Sequence, residues 1–297
     1  IAATHAFANL YGLKVKADQG FTYYIGGKER TAVIQTDTDF GSAAFIIDDT
    51  EVQNHKASVF KVISNLQPFT LDGITSLKRN QEKIDVLLPQ SCLITVTNSN
   101  VRHYIRFGLN QDNGSQQTDI FVVDKNGNVD LDAPVIWDFE QISNVTAIPL
   151  DTTTLNITGG RFTTIANKAD SKYNYYSRNI WVNRSNVVVD GLEHHIIGEG
   201  EQGAPYGGFI NIRDCAYVTV KNSLFTGHKT YRTIGSAGKP VSMGSYDLLV
   251  NRSLNVSFEN CSQTNDINDN TYWGIMSSNY SKNLVYDNCT LSRFDAH

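Results

Sequence analysis

Five short segments of this chain share one pattern: Leu155-Asn156-Ile157-Thr158-Gly159, Val187-Val188-Val189-Asp190-Gly191, Val218-Thr219-Val220-Lys221-Asn222, Val256-Ser257-Phe258-Glu259-Asn260 and Leu284-Val285-Tyr286-Asp287-Asn288. Each alternates apolar and polar residues and ends in Gly or Asn. Alternation of period two is the signature of a strand, and Gly or Asn at its end supplies a left-handed corner at little steric cost. The first apolar positions are 155, 187, 218, 256 and 284, so the steps are 32, 31, 38 and 28 residues. A step of that size holds about three strands with loops, and nothing between the segments has the length and periodicity of a crossover helix. Strands that recur without helices at uneven steps predict an all-β chain folded as a single parallel β-helix, with the uneven steps absorbed by loops on one flank. A propeller is the rival, but its blades repeat more regularly and use antiparallel hairpins. A further match, Phe69-Thr70-Leu71-Asp72-Gly73, suggests that the pattern starts early.

The clearest rungs fall in residues 150–297. Residues 1–30 read as a cap: Ala3, Phe7 and Leu10 lie at helical spacing and Gly12 follows, which suits a short helix over the open end of the solenoid. The first strands are expected at Ala32–Gln35 and Ala44–Ile47. From about 101 to 138 the pattern loosens, and Asp124-Lys125-Asn126-Gly127-Asn128 between Phe121-Val122-Val123 and Val129 reads as a hairpin turn inside a protruding β insertion rather than a second domain.

Composition narrows the partners. With 297 residues, 40% of them hydrophobic, the chain can bury a core. A formal charge of −5 without a Lys/Arg run lacks the footprint of a nucleic-acid binder. No stretch approaches the roughly 20 apolar residues of a membrane helix, and residues 1–10 lack the features of a signal peptide. The missing initiator Met and the stop at Phe294-Asp295-Ala296-His297 read as those of a piece of something longer. Cys92, Cys215, Cys261 and Cys289 include no CxxC pair and no nearby His at zinc-finger spacing, so no structural metal is expected. Cys261 and Cys289 hold matching places in two repeats and read as small buried side chains stacked in a core, with a disulfide as the alternative.

Counting from the first apolar residue of each repeat brings polar residues to similar offsets. The Val187 rung places Glu199 and Glu201 at 12 and 14, the Val218 rung places His228, Lys229 and Tyr231 at 10, 11 and 13, the Val256 rung places Asp266 and Asp269 at 10 and 13, and the Leu284 rung places Asp295 and His297 at 11 and 13. Residues at equal offsets on adjacent rungs stand about 4.8 Å apart. Carboxylates one or two rungs apart then bracket the separations of retaining and inverting glycosidases, and crowded acids split into an acid and a base. Each acid taken singly reads equally as a solvated loop charge or a turn former, and the same acids could hold a divalent cation such as calcium. Tyr206, Tyr231, Tyr246, Tyr272 and Trp273 supply candidate platforms for sugar rings. His194 and His195, adjacent on a strand, face opposite sides and so cannot serve one metal together. Asp247 is a weaker candidate, being equally a turn residue.

The stretches Gly227-His228-Lys229-Thr230-Tyr231, Lys239 to Asp247, Asn265-Asp266-Ile267-Asn268-Asp269 with Tyr272-Trp273-Gly274-Ile275, and Ser292-Arg293-Phe294-Asp295-Ala296-His297 resemble the pectate-lyase-like right-handed parallel β-helix proteins of bacteriophage tails. The opening, with Tyr23-Tyr24-Ile25-Gly26-Gly27 and Ile34 to Asp39, is similar to the start of such spikes. The resemblance implies a homotrimer on the virion tail, outside the cell, that binds and often cuts a bacterial surface polymer: capsule, O-antigen or wall teichoic acid. Taken with the column, the first hypothesis is a depolymerase whose acid pair is drawn from Glu199, Glu201, Asp266, Asp269 and Asp295 with His228 or His297 as donor or helper, and whose polymer contacts are Tyr206, Lys229, Tyr231, Asp247, Tyr272, Trp273 and Arg293. The family motif continues past Asp-Ala-His. A spike that only binds is the alternative reading. A lyase with Lys229 or Arg293 as base ranks third.

Overall fold

A computed structural model of the chain describes residues 1–28, 30–103, 114–235 and 238–296. The five repeat segments stack as parallel strands in one register: Leu155 pairs with Val187, Val187 with Val218, Val218 with Val256 and Val256 with Leu284. The preceding rung is the strand Thr38–Asp48, with Ile157 beside Thr38. Both this strand and Leu155–Ile165 run through a corner, so Leu155–Ile165 pairs on its far side with two separate strands, Val187–Asp190 and Glu193–Ile197. A second long parallel sheet closes the tube with Ala32–Ile34, Phe60–Ile63, Ile180–Asn183, Gly207–Arg213, Tyr246–Asn251, Met276–Asn279 and Phe294–Ala296. This is a parallel β-helix.

The corners are set by residue type. Gly159, Gly191, Asn222, Asn260 and Asn288 turn the chain with φ of 66°, 72°, 50°, 53° and 50°. Gly159 has a second reason to be Gly, since a Cβ there would stand 2.5 Å from the carbonyl oxygen of Gly41. The Asn side chains repeat the backbone ladder: Asn222 Nδ2 donates to Asp190 Oδ1 at 2.8 Å, Asn260 Nδ2 to Asn222 Oδ1 at 3.2 Å and Asn288 Nδ2 to Asn260 Oδ1 at 2.7 Å.

Inside, alternation points every second side chain at the axis, and equal register stacks like on like. Ala32, Phe60, Ile180, Ile210, Leu248 and Met276 form one buried column. Phe40, Phe45, Phe60 and Phe162 fill the first rungs, with Phe45 and Phe162 stacked at 4.8 Å. Each such side chain contributes roughly 1.5–3 kcal/mol by burial. All four cysteines are free; Cys215 and Cys261 are buried in the core of the tube, and Cys92 is buried in the separate core of the excursion between Ile63 and Leu155.

The cap is the helix Ala2–Tyr11, closed by Gly12 at φ 66°. It does not seat the expected face. His5 and Ala8 go down, while Phe7 and Leu10 are 58% and 75% exposed. The strand edge beneath explains this: Asn9 Nδ2 donates to Val33 O at 2.7 Å and Asn9 Oδ1 accepts from Gln35 N at 3.0 Å, so edge groups orient the helix. Buried His5 stands edge-on to Phe60 and, with burial disfavouring its charge, is lowered to a pKa of about 4.

Between Ile63 and Leu155 the chain leaves the tube to build an antiparallel four-stranded sheet from Phe69–Thr70, Asn144–Pro149, Cys92–His103 and Ser115–Val123. The excursion is therefore wider than residues 101–138. The Phe69–Gly73 match is a correction: Phe69 and Thr70 pair antiparallel with Ala147 and Thr146 and belong to no rung, because so short a pattern also fits any half-buried edge strand. The Asp124–Asn128 turn forms as read, with Gly127 at φ 85° and Asp124 N bonded to Asn128 O. Leu77, Ile94, Phe121 and Phe139 make a core of its own, and Leu93, Ile120 and Leu150 pack on Ala216 and Leu254 of the tube.

Replacing Asn260 tests the corner. Asn260→Ala and Asn260→Gly both lose the ladder bonds, but Ala also bears the cost of a left-handed backbone, so it is expected to be less stable than the Gly variant by about 1–2 kcal/mol. Urea unfolding of the two variants reads the difference; equal stabilities would show that the corner conformation carries no such cost.

Candidate functional site

On the strand Glu193–Ile197 the alternation turns His194 into the tube and His195 outward to Glu193 at 3.2 Å. His194 shares hydrogen bonds through Nε2 with Thr164 Oγ1 at 2.9 Å and through Nδ1 with Asp247 Oδ1 at 2.6 Å, and its ring lies flat on Phe209 at 3.7 Å. Asp247, fully buried, accepts the Thr226 amide on its other oxygen at 2.9 Å. Next comes His228, 1% exposed and stacked on Tyr206, with Nε2 at 3.5 Å from Asp247 and Nδ1 at 3.5 Å from Glu199. Glu199, half-buried, accepts the Lys229 amide with both oxygens at 3.2 and 3.1 Å. A continuous chain of polar groups thus leads from the core to the surface in the order His194, Asp247, His228, Glu199.

Its charges follow from the neighbours. Burial opposes ionisation of Asp247, but the two imidazoles outweigh it and hold the carboxyl down at about 2. Burial likewise disfavours charged His228, yet Asp247 and Glu199 on either side raise it to about 9. For His194 burial prevails over Asp247 and lowers the pKa, so the inner imidazole is the neutral member. Beside this chain lies a second buried pair, Arg178 Nε to Asp49 Oδ1 at 2.7 Å, with Tyr206 donating to Asp49 Oδ2 at 3.2 Å. Here burial exceeds the pull of Arg178 and raises Asp49 to about 6.

A second cluster forms around Asp295 on the second sheet. Its Oδ2 accepts from Tyr246 Oη at 2.8 Å and Trp273 Nε1 at 3.0 Å, its Oδ1 from Arg293 Nε at 2.8 Å, and the Arg293 guanidinium lies over the Trp273 ring at 3.9 Å. Burial works against its charge, but these three donors hold the carboxyl below the usual range. The two clusters share one surface: Trp273 N donates to His228 O at 2.8 Å, Thr230 N to Thr271 O at 2.9 Å, and Lys229 bridges to Tyr272. Lys229 Nζ donates to Gly200 O at 2.7 Å and stands 5.9 Å from the Tyr231 ring.

The structure therefore gathers Glu199, His228, Lys229 and Tyr231 on one side and Tyr272, Trp273, Arg293 and Asp295 on the other. The remaining candidates fall elsewhere. Asp266 and Asp269 are exposed turn formers whose carboxylates accept Asn268 N and Thr271 N at 2.9 Å. Glu201 is exposed on its loop. Tyr206, Tyr231, Tyr246 and Asp247 are corrections, since all are buried and none offers a face to a polymer; Tyr206 packs between His228 and Asp49, Tyr246 donates to Asp295, and Asp247 joins two imidazoles. His297 lies outside the described residues. The expected column of acids does not form: Asp295 stands in register with Ser277 and, one rung further, Leu249. Equal offsets fail here because loops of unequal length separate the strands, so residue counts past a strand end no longer measure height. Among the described residues no group of three or more His, Cys, Asp or Glu could hold a metal ion, and no helix is long and apolar enough to cross a membrane. Reading alone missed His194 as the partner of Asp247, although an apolar strand carrying an inward His is a signal for a buried polar partner.

No family model matches the chain, and no curated protein does. Solved structures do. The Gp54 tailspike of Acinetobacter baumannii bacteriophage AP22, solved in complex with A. baumannii capsular saccharide, aligns over 99% of this chain and 48% of its own with a TM-score of 0.50 and 11% identity. The tailspike gp49 of Pseudomonas phage LKA1 aligns over 97% and 56% (TM-score 0.37, 12% identity), and the tailspike gp61 of Pseudomonas phage phi297 over 100% and 57% (0.40, 10%). The chain spans about half the length of these proteins. The fold is that of the β-helical phage tail spikes.

The charge of His228 sets a pH dependence. Its folded value near 9 exceeds the ordinary 6.5, so its contribution to stability is complete below about 6.5 and is lost as pH rises through about 9. The melting temperature is expected to fall between pH 7 and 9.5, and His228→Gln to flatten that fall; the same slope in both proteins would remove His228 as its source.

Proposed function

We propose that this chain is the polymer-binding β-helix of a bacteriophage tail spike, borne on the virion tail as a homotrimer, and that it engages a bacterial surface polymer: capsular polysaccharide, O-antigen or wall teichoic acid. The observation that carries this reading is the joined surface of Trp273, Arg293 and Asp295 with Lys229 and Glu199. Trp273, half-exposed under the Arg293 guanidinium, offers an apolar ring to a sugar face, and Lys229 and Arg293 suit the phosphates or carboxylates of such polymers. The AP22 spike, whose fold the chain shares, is solved with capsular saccharide, which supports the polymer class.

Hydrolysis is a second reading, favoured by one contact. Glu199 is the surface end of the buried chain, and His228 beside it can return a proton lost by the carboxyl. Asp295, committed to Tyr246, Trp273 and Arg293, then shapes the surface while Glu199 performs acid–base work on a glycosidic or phosphodiester bond. Lys229 and Arg293 are poor lyase bases, because Lys229 Nζ is bonded to Gly200 O and Arg293 to Asp295.

Purified protein on an array of bacterial capsular, O-antigen and teichoic acid polymers tests both readings. Trp273→Ala is expected to weaken binding about tenfold, a stacking contact of about 1.4 kcal/mol. Glu199→Gln is expected to bind normally while release of reducing ends or glycerol phosphate stops. Binding to none of the polymers sinks the first reading; cutting by Glu199→Gln at the parent rate sinks the second.

A further inference from the structure

A separate cleft lies where the antiparallel excursion docks on the rung of Tyr280. It encloses about 420 Å³, inside the size range of small-ligand sites. Its floor is a buried ion pair. Asp119 Oδ1 is 2.5 Å from Lys282 Nζ and accepts the Ile120 amide, while Asp119 Oδ2 accepts the Ile136 amide at 2.7 Å. Lys282 Nζ also donates to Pro134 O at 2.6 Å. The two charges cancel and are held in place.

The walls are aromatic. The rings of His103 and Trp137 stand 4.6 Å apart at 56°, leaving Trp137 41% exposed. Tyr280 lines the same cleft, 38% exposed, with its hydroxyl hydrogen-bonded to that of Ser115. Tyr280 occupies the left-handed corner (φ 52°) that Asp214 and Arg252 fill on earlier rungs, a conformation that disfavours a ring-bearing residue. The exposed Gln116 at the rim presents an amide that can both donate and accept.

We infer that this cleft is a second carbohydrate site, which takes one uncharged pyranose unit against Trp137 and Tyr280 with its hydroxyls on Gln116. A pyranose has apolar faces that cover aromatic rings and an equatorial rim of hydroxyls that an amide satisfies. A floor of zero net charge offers nothing to an acidic or phosphorylated unit. The inference extends the polymer-binding reading to a second place on the chain and rests on it for the choice of sugar over other ligands.

The test uses the full chain labelled with 5-fluorotryptophan. Its three tryptophans, Trp137, Trp181 and Trp273, give fluorine resonances assignable by single Trp→Phe substitutions. Methyl glucoside, N-acetylglucosamine and N-acetylgalactosamine are titrated, with glucuronate and glycerol phosphate as charged controls. At least one neutral sugar is expected to move the Trp137 resonance to saturation, Trp273→Phe to leave that titration unchanged, and Tyr280→Asn to weaken it about fivefold, the equivalent of one stacking contact of about 1 kcal/mol. Asn suits the left-handed corner, and an unchanged melting temperature verifies that the variant folds. The inference is overturned if no neutral sugar moves Trp137, if the charged controls move it equally, or if Tyr280→Asn titrates like the parent. A shift that follows protein concentration without sugar would make the cleft a contact between copies and also overturn it. Should a neutral sugar move Trp137 while the polymer array stays blank, the tail-spike reading fails and the cleft stands as a sugar site.

Discussion

Everything in this molecule depends on rungs lying in register. The parallel backbone ladder fixes a rung spacing of about 4.8 Å, and the left-handed Gly and Asn corners make every rung turn at the same residue. With those two constraints met, apolar side chains fall on apolar side chains, Asn on Asn, and the tube fills itself. Displacing one corner by a single residue would reverse the facing of the next strand and put polar side chains on the axis. Gly41 and Gly159, whose backbones touch at the first such corner, show how little room the geometry leaves.

The same register explains a costly feature. An interior position on a β-helix is normally apolar, yet one layer holds His194, Asp247 and His228, and the neighbouring layer holds Asp49 with Arg178. Paired ionic groups in a core add little net stability compared with well-packed apolar residues, whereas loss of one partner costs several kcal/mol. Such a network fixes side-chain positions sharply. Here the positions fixed are those of Glu199 and of the loop from Thr226 to Tyr231, which in turn carries Trp273 through the bond to His228 O. The precision of the surface is therefore set from within.

The fold was largely legible in the sequence and the site only partly so. Strand register could be read because period two and the Gly/Asn corners are local signals, and the apolar positions 155, 187, 218, 256 and 284 stand side by side as their pattern implies. Beyond each corner the signal decays. The loops after Gly198, Phe225 and Gln263 differ in length, so His228 and Asp266 share an offset without sharing a height. Asp247 and Tyr206 look like surface chemistry in a list of residues, but their partners His194 and Asp49 lie 53 and 157 residues away, a separation no local pattern encodes. The cap erred for a related reason: three apolar residues at helical spacing outlined a face, while one Asn answering an open strand edge decided which face went down.

The excursion also orders the folding of the chain. Neighbouring rungs from Leu155 onward are closed by loops of about 30 residues, but the strand Thr38–Asp48 meets its partner across 119 residues, as Ile157 beside Thr38. Two doublings in loop length add about 1.2 kcal/mol of closure entropy, so the Thr38–Asp48 strand, which pairs on one side with the nearby strands Val15–Lys16 and Thr22–Ile25, gains its partner on the other side late unless the excursion has already folded and drawn its ends together. A chain emerging from the ribosome can thus stack Phe45 on Tyr23 early, but the aromatic layer of Phe40, Phe45 and Phe60 is completed only when Phe162 has been made. The antiparallel sheet, in which Phe69 pairs with Ala147 and Cys92 with Pro149, acts as the clasp that brings the two halves of the tube within reach of each other.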